Sequence, residues 1–264
     1  MDHDSFVPSK TLVRMYPEAT AGGFTRYDGF VEFYTRVNAL LDNTSEVLDF
    51  GAGRGLWATE PLAPFSRHLR AFHERVGRVV GIDVDDAVLK NEALAEAKVV
   101  APGSPIPYDD ASFDMVIADH VLEHVTRADA PGVAAEVLRV LRPGGWFAAR
   151  TPNKWGMIGI GARAVPNRLH TTVLERLQPG RKAEDVFPVE YHMNTRRQLR
   201  KLFPPPHRVV VYGHSSEPTY FGHSRAAWRT AAFLARLTPP ALEATLMVFV
   251  QKNPSDAADL ATTG

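Results

Sequence analysis

The stretch V-L-D-F-G-A-G-R-G at 47–55 constrains this chain more than any other. A short apolar run, 46–50, passes straight into glycines at 51, 53 and 55. Glycine tolerates the left-handed backbone of a tight turn and puts no Cβ between the main chain and a ligand. A turn of this kind, opening into a helix, aims peptide N–H groups at whatever binds there. The same alternation continues downstream. R-V-V-G-I-D (78–83) predicts a second buried strand, and 85–96 a helix. A weaker strand is expected at 98–101, then F-D-M-V-I-A-D (113–119) as a fourth. His120 to about Leu141 reads as mostly helix, R-P-G-G (142–145) as a turn and W-F-A-A-R-T (146–151) as a fifth strand. Strands alternating with helices specify parallel βαβ units, and near-continuous apolar strands specify a sheet covered on both faces. The expected class is therefore α/β, Rossmann-like, with a mostly parallel sheet.

The flanks are less regular. Residues 1–30 read as an N-terminal arm, with a helix at about 31–41. After Pro152 the periodicity is lost, and 153–194 reads as a cap inserted over the site. A helix at 195–203, strands at 207–212 and 245–252 and a helix near 224–237 complete one domain over 1–252. The residues from 253 to 264 are expected to be a disordered tail. The chain has no cysteine, which excludes a Cys nucleophile, zinc fingers of the usual kind and iron–sulfur clusters. Lys plus Arg and Asp plus Glu both number 30, so the basic excess of a general nucleic-acid binder is missing. No run approaches the roughly 18 apolar residues of a membrane span. The N-terminus lacks the pattern of a signal peptide. A cytoplasmic protein without stable membrane insertion is expected.

Two motifs carry chemistry. The glycine spacing, G-x-G-x-G, differs from the dinucleotide fingerprint G-x-G-x-x-G. Asp49 stands two residues before the first glycine, where a carboxylate repels a pyrophosphate and suits a cationic amino-acid group. Asp83 ends the second strand, where in this topology a carboxylate accepts hydrogen bonds from a ribose diol; a helix N-cap is the plain alternative.

In this order the two motifs resemble the class I S-adenosylmethionine-dependent methyltransferases. The segments I-P-Y-D-D-A-S-F-D-M-V-I-A-D-H-V-L-E-H-V (106–125) and V-L-R-V-L-R-P-G-G-W-F (137–147) resemble that family's later motifs. The likeness covers about 40–152 well and 195–252 more loosely. It implies a seven-stranded sheet with the last strand antiparallel, and S-adenosyl-L-methionine lying across the strand ends. By position, Gly51, Ala52, Gly53 and Gly55 approach the methionine part, Asp49 stands near its amino group, Asp83 holds the ribose and Val84 meets the adenine. Ile106 falls where the family has an apolar residue before proline. Asp119 and His120 end the fourth strand beside the methyl group. Two departures stand out: Pro102-Gly103-Ser104 replaces the acidic residue many members carry near position 102, and the segment between Gly55 and Gly81 is long.

The resemblance implies methyl transfer, an in-line displacement in which the enzyme mainly positions the nucleophile. A hydroxyl acceptor also loses a proton, and a histidine suits that task. His120 is the first candidate, with packing against the cofactor as its plain alternative. His192 is the second, and Asp119 would position the acceptor. His124 is expected to face the sheet or make a helix hydrogen bond. No tight carboxylate cluster points to a metal. Tyr191, His192 and Trp155 are expected to bind the acceptor, a small molecule with sugar hydroxyls favoured. Between 160 and 208 there are ten Lys and Arg against four Asp and Glu, which suits an anionic or hydroxylated acceptor or simply a solvated surface. The apolar, Gly-rich stretch 155–160 reads as a mobile lid, or as a contact for a lipid or quinone tail. His120-Val121-Leu122-Glu123-His124 also matches the inverted zinc-peptidase pattern H-x-x-E-H, which leaves the glycine loop and Asp83 unexplained. The competing readings are quinone or lipid O-methylation at a membrane surface, a cofactor-binding domain without catalysis, and an NAD(P)-dependent oxidoreductase.

Overall fold

The computed structural model describes residues 6–58, 62–156, 189–218 and 225–255. Seven strands run through them: β1 Glu46–Phe50, β2 Arg78–Asp83, β3 Glu96–Val99, β4 Phe113–Asp119, β5 Leu141–Pro152, β6 Arg208–His214 and β7 Thr245–Gln251. They form one sheet in the order β3-β2-β1-β4-β5-β7-β6. The pairs β1–β2, β1–β4, β2–β3 and β4–β5 are parallel, whereas β7 is antiparallel to both β5 and β6. The order reverses at β1, so the carboxyl ends of β1, β2 and β4 flank a crevice, the usual place for a ligand in such sheets.

Helices cover both faces. Successive strand residues point to opposite sides. Val47, Met115 and Ile117 pack with Phe33, Tyr34 and Val37 of α2 (Gly29–Ala39) and Leu69 of α3 (Pro64–Arg70). Leu48, Val80 and Val116 pack on the other face with Val137 and Val140 of α4 (Ala130–Val140) and Leu199 of α5 (Arg196–Leu202). A short α1 (Lys10–Met15) lies in the N-terminal arm, and α6 (Arg225–Leu237) tucks Trp228 against Tyr16.

Several sequence expectations shift. The helix expected at 85–96 is a 3-10 turn, Asp86–Lys90, because Asn91 turns its side chain back onto the glycine loop. The third strand starts two residues earlier than expected. The helix expected from His120 begins at Ala130: His120 takes a positive φ of 59°, Leu122–His124 is a 3-10 turn, and Pro131 sits in the first turn of α4. The turn expected at 142–145 lies within β5, where Gly144 at φ 82° forms part of an irregularity and still donates to Lys252. Of the expected cap, 157–188 lies outside the described residues, as do most of the 155–160 stretch and residues 256–264 of the expected tail. No helix among the described residues is long and apolar enough to cross a membrane.

Candidate functional site

The glycine loop is held open by its own backbone and by two side chains. Gly51, Gly53 and Gly55 have φ of 77°, 53° and 71°, a region costly for any residue with a Cβ. A Cβ on Gly51 would strike Val121, so the loop after β1 and the loop after β4 touch here. A Cβ on Gly53 would meet nothing within 4 Å, so this face of the loop is open. Asn91 is buried and donates from Nδ2 to the carbonyls of Ala52 (3.3 Å) and Gly53 (3.1 Å), pinning the loop from below. The Asp83 carboxylate accepts from the Gly53 N–H at 2.8 Å and from the Asp85 N–H at 2.9 Å. Val84 beside it is exposed and Ala52 is buried. The open cradle, a facing carboxylate and an exposed apolar residue fit a ligand with a hydroxylated sugar between two other groups.

Asp49 is engaged elsewhere. It is buried, and its Oδ2 meets Arg70 Nη2 at 2.5 Å. Burial works against the Arg70 charge, but Asp49 and Tyr34 hold it and raise its pKa. Arg70 also lies 5.2, 5.1 and 5.3 Å from the ring centres of Tyr34, Trp57 and Phe72. The carboxylate expected beside a cationic ligand group is thus committed to a cation of the chain itself. Ile106 is buried in the core; its N–H bonds Glu136 and its carbonyl accepts from Arg139.

At the end of β4, Asp119 is bidentate to Arg150 of β5, with both bonds at 2.8 Å, and accepts from Tyr34 Oη at 3.0 Å. Burial would raise its pKa, but Arg150, His120 and Arg70 outweigh burial and hold it at about 2. Asp119 is therefore a fixed negative charge. His120 is half exposed, in a left-handed conformation of the kind that recurs at functional sites. Its Nδ1 lies 3.2 Å from Glu123 Oε1, and its Nε2 is 3.9 Å from Asp119 Oδ1. Glu123 is buried; its Oε2 accepts from Thr151 Oγ1 at 2.9 Å, and Thr151 accepts from Asn194 Nδ2 at 2.6 Å. The imidazole is thus the exposed end of a buried polar chain reaching β5 and residue 194. Residues 189–195 cross over this point, where the Glu190 N–H donates to the Glu123 carbonyl at 2.7 Å. Tyr191 follows with a φ of 56°, and His192 turns to Glu190 at 3.4 Å. Trp155 is exposed and lines a separate cavity beside α5.

The structure therefore groups the glycine loop, Asp83, Asp119 and His120 at one edge, with Tyr191 above Glu123. Sequence reasoning missed Glu123 in this role, although it stands three residues after His120 in the H-x-x-E-H string. It also missed Arg70, Arg150 and Asn91, which carry no motif of their own. The H-x-x-E-H string does not lie on an α-helix, so its histidines lack the shared helical face that the peptidase pattern needs.

Residues 48–149 match the family model described as a methyltransferase domain. A probable S-adenosylmethionine-dependent methyltransferase of Mycolicibacterium smegmatis is 33% identical over 112 residues, 41% of this chain and 38% of that protein. The ubiquinone/menaquinone biosynthesis C-methyltransferase UbiE of Idiomarina loihiensis is 33% identical over 109 residues, 38% of this chain and 39% of that protein. The matches thus span about two fifths of these curated relatives. The crystal structure of a SAM-dependent methyltransferase from Archaeoglobus fulgidus shares the fold at a TM-score of 0.50 and 15% identity, over 89% of this chain and 97% of that one. The sheet order is that of the Rossmann-like α/β class, and within it the segment 48–149 is similar to a methyltransferase domain.

Proposed function

We propose that this chain is an S-adenosyl-L-methionine-dependent O-methyltransferase that methylates a hydroxyl of a small acceptor, with a sugar or oligosaccharide as the acceptor class. The observation that carries the transferase reading is the open glycine cradle facing Asp83, one loop away from His120. Gly51, Ala52, Gly53 and Gly55 would hold the amino-acid end of the cofactor, Asp83 its ribose and Val84 its base. The cofactor supplies an electrophilic methyl group on a sulfonium.

The remaining work falls to the chain. Glu123 favours a proton on the Nδ1 of His120, which leaves the Nε2 lone pair to accept the hydroxyl proton as the acceptor oxygen attacks. Asp119, ionised beside that nitrogen, stabilises the imidazolium that forms. Glu123, held by Thr151, fixes the ring so that the base does not have to be oriented during the reaction. The sugar assignment rests on Tyr191 above Glu123, beside the half-exposed His120. Similarity to a quinone-pathway methyltransferase favours a second acceptor class, quinones or related lipids.

A methyl-transfer screen over sugars, quinones and small phenols, read by product mass, tests this. A methylated sugar supports the reading, and a methylated quinone moves the acceptor to the second class. Cofactor binding with no methylated product from any acceptor overturns the enzymatic reading in favour of a binding domain.

A further inference from the structure

A surface away from the glycine loop is built like a membrane-facing one. Helix α6 reads R-A-A-W-R-T-A-A-F-L-A-R-L and contains three arginines and no acidic residue. Trp228 is its inward anchor. On the outer side Phe233 is 61% exposed and Leu237 64%, one turn apart, with Leu234 beside them and Leu242 just beyond the helix. Soluble surfaces rarely present several large apolar side chains together without a partner. The neighbouring helix α5 reads R-R-Q-L-R-K-L, again with four cations and no acid, and Arg197, Arg200 and Lys201 are exposed.

The two helices share one surface. Arg196 Nη2 donates to the carbonyl of Pro240, in the turn that follows α6, at 2.6 Å. Arg196, Arg197, Lys201 and Lys154 line one cavity of about 530 Å³ together with Ala241 and the exposed Trp155. The turn that ends α6 thus meets the cations of α5. That is the composition of an interfacial helix, whose apolar side enters the headgroup boundary while its basic residues meet anionic lipids.

We infer that the α5–α6 surface docks the protein onto an anionic lipid bilayer, with Phe233 and Leu237 inserting and the arginines and lysine of α5 meeting headgroups. Charge complementarity selects this occupant: with no acid on either helix, an anionic surface is attracted and a zwitterionic one is not. The inference does not depend on which acceptor is methylated.

Flotation of the full chain with phosphatidylcholine vesicles, with and without phosphatidylglycerol, tests it at low and high salt. Binding to the anionic vesicles, and at least tenfold less to the zwitterionic ones, is expected. Each basic residue near an anionic surface contributes about fivefold in partitioning. Arg197→Glu with Lys201→Glu should therefore reduce binding by about 25-fold or more. Phe233→Ser with Leu237→Ser should reduce it by about tenfold without changing cofactor binding, which also reports that the variants fold. Wild-type protein that stays unbound on anionic vesicles overturns the inference and leaves an acidic protein as the occupant. Binding unchanged by the Phe233 and Leu237 pair overturns the insertion.

Discussion

His120 gains its proposed role from what stands behind it. An imidazole that is half exposed and backed by a buried carboxylate has one nitrogen occupied and the other available. His120→Ala is expected to lower turnover by about 10²–10⁴-fold with cofactor affinity nearly unchanged, as steady-state rates and calorimetry on the same preparation will show. Glu123→Gln keeps the shape but weakens the hold on Nδ1–H. Turnover should fall by about tenfold or more and the acidic limb of the rate–pH profile should move to lower pH, with Glu123→Asp recovering part of the loss. A pH profile identical to wild type would leave Glu123 a structural role only. Asp119 offers a test in stability. Its carboxyl titrates at about 2 in the folded chain against an ordinary 3.8. A depressed acid stabilises the fold above its unfolded pKa, so about 2 kcal/mol should be present above roughly pH 4 and lost as the pH falls toward 2. Tm measured across pH 2–5 checks this. Asp119→Asn should remove that acid dependence and cost about 2–4 kcal/mol at neutral pH, because Arg150 stays mostly buried without its charge partner.

Elements place these residues by turns that contradict local propensity. The loop after β1 needs left-handed backbone at 51, 53 and 55, and Gly51 also needs the space that Val121 fills. Gly51→Ala is expected to destabilise by about 1–3 kcal/mol in denaturant unfolding, through backbone strain plus a clash with the β4 loop. Arg70→Met at the end of α3 should cost about 3–5 kcal/mol, since it strands a buried Asp49 carboxylate, while Arg70→Lys recovers part of that. The strands were legible because apolar runs flanked by Gly, Asp and Pro admit few other conformations. The glycine loop, Asp83, Asp119 and His120 were legible because they end strands. The helices at 85–96 and 120–141 were misjudged in extent. Ala-, Leu- and Lys-rich composition cannot register that Asn91 leaves its own turn to bond the glycine loop, or that His120 reverses the backbone. Arg70 and Arg150 were not legible, since nothing local tells a surface arginine from one buried against Asp49 or Asp119.

At the scale of the molecule, the described residues form a seven-stranded sheet whose order reverses at β1, with a glycine cradle and a carboxylate at the reversal. Basic and apolar side chains on α5 and α6 form another surface, so cofactor chemistry and surface attachment are separable by mutation. The proposed enzymology rests on that cradle taking a sulfonium nucleoside. The most direct measurement is calorimetric titration of S-adenosylhomocysteine into wild-type protein, Asp83→Ala and Gly53→Val. One-to-one binding to wild type, weakened at least tenfold by each substitution while Asp83→Ala still unfolds in one cooperative transition, is the predicted result. No heat of binding to wild type, or an affinity that ignores both substitutions, would contradict it.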